Sequence, residues 1–370
     1  MNKLFKKIIF IIQFCFIYNC SNLYFGNNEL PNFDPKEQSN KLGKLVKQEE
    51  DALRTTDRNN EYEWWYFDAK LDDGSVLVAY FWKIKNIKDF YYIGVNYNSP
   101  DGTEYKKIKF FKSKDVFFSE DSCNVQFGEN YFIGNIKNYN INIDKNDFDG
   151  FGFTVNLSST IPPYRPQDGI ISAKEDYFAW LAAVPNGRVN GNLFFNSDNT
   201  IISGTGYHDH NWRNVPLQKL FDDWIWFRGT AGPYTIIGYE LNTIQSRGGY
   251  SIPGIFIGDS TGIIYENYGQ NGIFTSKEDL ITNLYEKNNE SLFSKLKILT
   301  TDSFYLEIEG TDVIENLQLF EVAKIPFVKS IMGLYKIDPF YTRFNSKVYL
   351  RLPNNKYYEG DGVLEIMDLR

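Results

Sequence analysis

From Glu61 onward the chain reads as short runs in which apolar and polar residues alternate, each run stopping at a turn signal. EYEWWYFDAKL, SVLVAYFWKI, FYYIGVNY, YKKIKFF, NYFIGNI and FGFTVNL form a first series, punctuated by DDGS, NSPDG, DFDG and IPPYRPQDG. Side chains alternate faces along a pleated strand, and Gly, Pro, Asn and Asp supply the backbone angles that turns need. A second series runs YFAWLAAV, RVNGNLFF, TIISGTGYHDHNW, DWIWFRGT, PYTIIGYEL, YSIPGIFIG and GIIYENY, and strands resume at FYLEIEG, SKVYLRL and GVLEIMDL. Before that resumption, the acidic, lysine-rich stretch from Ser276 to about Lys297 is the best helix candidate. Short strands at regular spacing, without alternating helices, predict an all-β architecture of barrels or sandwiches.

The two series have similar length and strand density, so the pattern fits two β-barrel-like domains in tandem, 56–200 and 201–370. Ahead of them, residues 21–55 are polar and read as a tether, with a helical turn or two around Lys41–Leu53. Residues 1–20 read as an export signal: MNKLFKK is basic, and the apolar run IIFIIQFCFIY is too short for a comfortable membrane span. The signal ends at Cys20 in FIYNCSN, which leaves three readings open. Cys20 is the lipidation site of a lipoprotein signal, or the signal is cleaved in secretion, or it stays as an anchor. The expected location is outside the cytoplasm, in the cell envelope or secreted. The membrane is then a partner, through the signal or a lipid anchor.

Composition narrows the partners. Aromatic residues make up 17% of the chain, which suits pleated, half-buried surfaces. A net charge of −8 argues against nucleic acid, whose binding runs on Lys and Arg. Two of the three cysteines, Cys15 and Cys20, lie in the signal, so Cys123 stands alone and no disulfide framework is expected despite export.

Both histidines of the chain fall in GYHDHNW, residues 206–212. On an extended strand His208, His210 and Trp212 share one face, and Asp209 and Asn211 share the other. Three readings compete. The imidazoles could satisfy local hydrogen bonds, or chelate a metal as His-x-His, or work with the neighbouring carboxyl in acid–base chemistry. Two histidines with no third and no cysteine cluster weigh against a metal, and neither metal nor cofactor is expected. In EYEWWYF, Glu63 and Trp65 share one face and Trp64 the other; either set could be core or ligand wall. DWIWFRGTAGPYTIIGYEL reads as a hairpin that would bring Trp226, Tyr239 or Glu240 near His210.

Taken together, EWWYFDA, DYFAWLAAVPNGRVNGNL, ISGTGYHDHNW and DDWIWFRGTAGPYTIIGYE resemble the hydroxyneurosporene synthase family, closely from about Tyr177 to Glu240. That family includes carotenoid 1,2-hydratases, fungal Diels–Alderases and many secreted lipocalin-like proteins. The resemblance implies two tandem lipocalin-like β-barrels with an apolar pocket, bordered by GYHDHNW and its aromatic neighbours. It implies a catalytic set of His208, Asp209, His210 and Tyr239, and ligand contacts from Glu63, Trp64, Trp65, Asn211, Trp212 and Trp226. Two positions depart from the family: Arg213 replaces the usual glycine, and Glu240 stands out of phase with the acidic residue expected beyond Tyr239, leaving Leu241 on that face. The partner so implied is an apolar isoprenoid, polyene or lipid. The reaction is acid-catalysed addition of water to a carbon–carbon double bond, with Asp209 as donor, directly or through His210. A Diels–Alder-type cyclase and a non-catalytic lipid carrier are the alternatives.

Overall fold

A computed structural model describes residues 45–56, 58–85, 89–166, 169–173, 176–281, 292–318 and 339–369. The export signal, Cys20 and the tether as far as residue 44 lie outside the described residues. Twelve strands build the first sheet: β1 (Glu61–Leu71), β2 (Val76–Lys85), β3 (Phe90–Asn98), β4 (Glu104–Phe111), β5 (Val116–Phe118), β6 (Asn124–Phe127), β7 (Asn130–Gly134), β8 (Asn138–Ile143), β9 (Phe151–Ser159), β10 (Ile170–Ala173), β11 (Asp176–Phe195) and β12 (Asp198–Arg213). Nine build the second: β13 (Phe221–Ala231), β14 (Tyr234–Thr243), β15 (Ser251–Asp259), β16 (Gly262–Tyr268), β17 (Ile273–Ile281), β18 (Leu292–Thr300), β19 (Tyr305–Gln318), β20 (Phe340–Arg351) and β21 (Tyr357–Asp368). Among the described residues there is no α-helix.

Both sheets follow one plan. The spatial order is β4-β3-β2-β1-β12-β11-β9-β8-β7-β6-β5, with β10 beside β11, and then β16-β15-β14-β13-β21-β20-β19-β18-β17. In each, the first strand pairs with the last and the remaining gap falls after the fourth strand, so each sheet curls into a nearly closed barrel. Closure leaves few free edges and gives each barrel an inside that alternate side chains must fill.

Alternation fills them. On β1, Trp65, Phe67, Ala69 and Leu71 enter the core of the first barrel, while Trp64 and Tyr66 are only half-buried. The second barrel encloses Ile225, Phe227, Ile236, Ile255 and Leu364. A third apolar cluster lies between the barrels, where Trp180 and Tyr207 of the first meet Ile237, Tyr239 and Phe256 of the second. The two domains therefore share a greasy seam made by their outward faces.

Three expectations change here. The boundary expected between 200 and 201 falls inside β12, whose full length is hydrogen-bonded into the first sheet; the change of sheet comes between Arg213 and Phe221. The helix expected over Ser276–Lys297 is not formed at either end. Ser276 pairs with Lys297 and Glu278 with Lys295 across β17 and β18, and Lys297 reaches Glu278 at 2.5 Å. Opposite charges across a ladder reproduce the charge pattern that suggested a helix. Finally, the end of the tether is core. A short 3-10 turn, Gln48–Asp51, inserts into the first barrel so that Glu50, Asp51 and Ala52 are buried.

Candidate active site

The β1–β12 ladder decides which side chains can meet a ligand. Trp65 lies opposite His210, Phe67 opposite His208 and Glu63 opposite Trp212, all turned into the first barrel. Trp64 lies opposite Asn211, Tyr66 opposite Asp209 and Asp68 opposite Tyr207, all turned toward the seam. The predicted split of GYHDHNW between two faces is therefore correct, and the Asp209 face lines a cavity.

The inner face is sealed. His208 and His210 are both 0% exposed. Trp65 stacks on the His210 ring at 4.5 Å, and Phe132 and Tyr139 flank His208 at 4.5 and 4.6 Å. Asp51 accepts from the Tyr139 hydroxyl at 2.5 Å and faces His208 Nε2 at 3.1 Å. Glu63 accepts from the backbone N–H groups of Arg54 and Thr55, from the Thr55 hydroxyl and from His210 Nε2. Burial alone would push both carboxyls up, but the imidazoles beside them hold Asp51 and Glu63 below the usual carboxylate range. Burial opposes charge on His210 too, and the same two carboxylates overcome it and raise its pKa. His210, and the expected ligand contacts Glu63, Trp65 and Trp212, thus lie across the sheet from the cavity.

The outer face lines a cavity of about 260 Å³ between the barrels. Its walls are aromatic, with Trp64, Phe178 and Trp180 from the first barrel and Trp224, Trp226 and Tyr239 from the second. Into it project Asp209 and Asn211 from β12. Asp209 Oδ2 accepts from the Tyr207 hydroxyl at 2.9 Å and the Trp180 indole at 3.2 Å, and Oδ1 accepts from the Asn211 amide at 2.8 Å. Those bonds favour the carboxylate, yet burial outweighs them and pushes Asp209 up to about 6. The cavity's other carboxyls are held differently. Arg228 donates to both oxygens of Asp68, at 2.9 and 2.6 Å, while its guanidinium lies 4.2 Å over the Tyr207 ring. Burial raises Glu365 despite the Arg343 guanidinium 3.4 Å away.

Of the residues expected at the site, the structure brings together Asp209, Tyr239, Trp64, Asn211 and Trp226. The hairpin β13–β14 forms as expected, but its Trp226 meets Tyr207 and Trp180, not His210. Glu240 is tied to Lys277 at 2.6 Å. Sequence reasoning missed Tyr207, Trp180, Asp68, Arg228 and Glu365, although the first four lie in segments singled out for other reasons. Stepping by two from Asp209 and from Trp226 would have found Tyr207 and Arg228.

Tyr239 is positioned by a missing side chain. Gly254 is its cross-strand partner, and a Cβ there would fall 2.0 Å from the tyrosine ring. We expect Gly254→Ala to drive the ring off its seat and cost about 1–3 kcal/mol, as overpacking does. A denaturant melt unchanged from the parent would refute that placement of Tyr239.

With this geometry in hand, three comparisons place the chain among known proteins. A hydroxyneurosporene dehydrogenase of Chlorobaculum tepidum is 27% identical over 228 residues, which covers 51% of this chain and 59% of that protein. The match thus spans about three fifths of the relative's length. The crystal structure of CghA with Sch210972 superposes with a TM-score of 0.58 at 13% identity, covering 89% of this chain and 97% of that one. Kievitone hydratase from Nectria haematococca superposes at 0.56 and 11% identity, covering 91% and 97%. At such identities the two structures establish the shared tandem-barrel fold. The profile of the Diels–Alderase-like family matches residues 48–251, more than half of the chain and the whole of β1 to β14, and the protein belongs to that family.

Proposed function

We propose that the cavity between the barrels binds an apolar, unsaturated ligand of the isoprenoid, polyene or lipid class, and that Asp209 protonates one of its double bonds so that water adds. The observation that carries this reading is a half-buried carboxyl side chain set among indoles, facing the cavity and bonded only to neutral donors. An alkene is a weak base, and its protonation requires an acid kept dry.

Proton transfer breaks the Asp209 O–H bond and makes a C–H bond at one alkene carbon, leaving the other carbon cationic. Trp64 and Trp226 offer electron-rich faces to that cation, worth up to about 2 kcal/mol each when water is excluded. Water adds its oxygen to the cation and returns a proton to the Asp209 carboxylate, so the acid is restored and the ligand gains one H2O. Asn211, bonded to Asp209, positions that water. Export through the N-terminal segment, with Cys20 lipidated, would bring the cavity to ligands drawn from a membrane.

A second reading is cyclisation, in which the cavity folds a polyene and Asp209 polarises a carbonyl. The family to which the chain belongs supports it. Mass spectrometry on polyene and isoprenoid extracts, incubated with and without the protein, separates the outcomes. Hydration gives a product heavier by one water, cyclisation an isomer of equal mass, and a carrier consumes nothing. For hydration, kcat/KM should fall as pH rises through about 6, where Asp209 loses its proton. A rate that is flat from pH 5 to pH 8 would remove Asp209 as the acid.

A further inference from the structure

The sealed interior of the first barrel holds a second constellation that the cavity chemistry does not use. Carboxylate oxygen of Asp51, Sγ of Cys123 and a ring nitrogen of His208 lie within 4.8 Å of one another, and all three residues are buried. The hydrogen bonds around them fix which nitrogens face Asp51. A carbonyl can only accept, so His208 Nδ1 carries the proton it gives to Tyr66 O at 2.8 Å, and Nε2 points at Asp51. Glu63 already accepts from Arg54 and Thr55, so His210 Nε2 donates to it at 2.9 Å. That leaves His210 Nδ1 facing Asp51 Oδ1 at 3.4 Å.

Two imidazoles, each anchored through its far N–H by a carbonyl or a carboxylate, turn their remaining nitrogens on one carboxylate beside a thiol. Anchoring of this kind is what orients histidine ligands on a metal. The Nε2–Oδ2 separation of 3.1 Å is close to the spacing of about 3.3 Å between N and O ligands on tetrahedral zinc. We propose that Asp51, Cys123 and His208 bind a divalent metal ion of the zinc class. Mixed N, O and S donors favour zinc over calcium or magnesium, and a site buried away from the cavity is structural rather than catalytic. The ion would pin the Gln48–Asp51 turn, and with it the N-terminal segment, to β12. His-x-His lacked partners in the sequence; the buried turn and Cys123 supply them.

The test uses the full chain with Cys15→Ser and Cys20→Ser, which leaves Cys123 as the only thiol. Refolded with cobalt(II), it should take up one equivalent and show the near-ultraviolet thiolate-to-cobalt charge-transfer band, and zinc should abolish that band. Adding Cys123→Ser should remove the band. No bound cobalt, or no thiolate band in the parent chain, overturns the proposal whether or not the variants fold. So does a band that survives in folded Cys123→Ser or Cys123→Ala.

Discussion

Asp209→Asn lowers turnover about 10²–10⁴-fold, the usual worth of a general acid, and leaves ligand binding in place. The same substitution makes the folded protein more stable above pH 6. The sign follows from the protons. Burial raises the carboxyl from its ordinary 3.8 to about 6, so between those values the native state holds a proton that the unfolded chain has lost. Native stability therefore falls as pH rises from about 4 to about 6, by about 3 kcal/mol in total. Asparagine does not titrate and carries no such slope. Part of the gain is lost, because the new amide meets the Tyr207 hydroxyl and the Trp180 indole, both donors, and one misplaced pairing costs about 1–2 kcal/mol. Urea titrations of both chains at pH 4.5 and pH 7.5, with a chelator present, test the claim. The variant should gain relative to the parent between the first pH and the second. Equal differences at the two pH values would show that Asp209 is not held in its acid form by burial.

This trade of stability for acidity explains why the site was half legible in the sequence. Alternation alone assigned His208, His210 and Trp212 to one face of β12 and Asp209 and Asn211 to the other, and the structure keeps that division. Which face met a cavity was not legible, because it depends on a second barrel packing against the outside of the first. The tryptophans of β13 complete the cavity from across the seam, and β13 belongs to a different sheet from β12. Two histidines flanking an aspartate drew attention to the imidazoles, yet the carboxyl between them faces the ligand space. Asp51 gave no local signal at all. QEEDAL is polar and short, and its burial is decided by counter-groups far along the chain, at Tyr139, Arg165, His208 and His210. Glu50 shows the same dependence, since Arg165 reaches both of its oxygens, at 2.5 and 3.1 Å. Lysine and glutamate across β17 and β18 misled in the opposite sense, because a ladder and a helix can be stitched by the same charges.

Asp51→Ala is expected to be the most damaging single change in the first barrel, costing about 3–5 kcal/mol. Removal of one member of a buried charged cluster has that size, because the partners stay behind without compensation. Here one carboxylate serves three of them: the Tyr139 hydroxyl, His208 Nε2 and His210 Nδ1. All three side chains sit where solvent cannot replace it. Such a loss is a large share of the roughly 5–15 kcal/mol that holds a typical domain together. The backbone of the turn offers a built-in reporter, since the Trp65 indole donates to Asp51 O at 3.0 Å and stacks on His210. Loosening of the turn should therefore change Trp65 emission at denaturant concentrations where β13–β21 are still folded. Asp51→Asn, which keeps the shape and one acceptor, should lose less than Asp51→Ala. In chelator the alanine variant's deficit measures the hydrogen-bonded cluster alone. If zinc occupies the site, the deficit must widen when the metal is restored, because only the parent chain gains from it. A deficit below about 1 kcal/mol in both conditions would mean that the N-terminal segment merely rests in the barrel, and that the histidines do not need it.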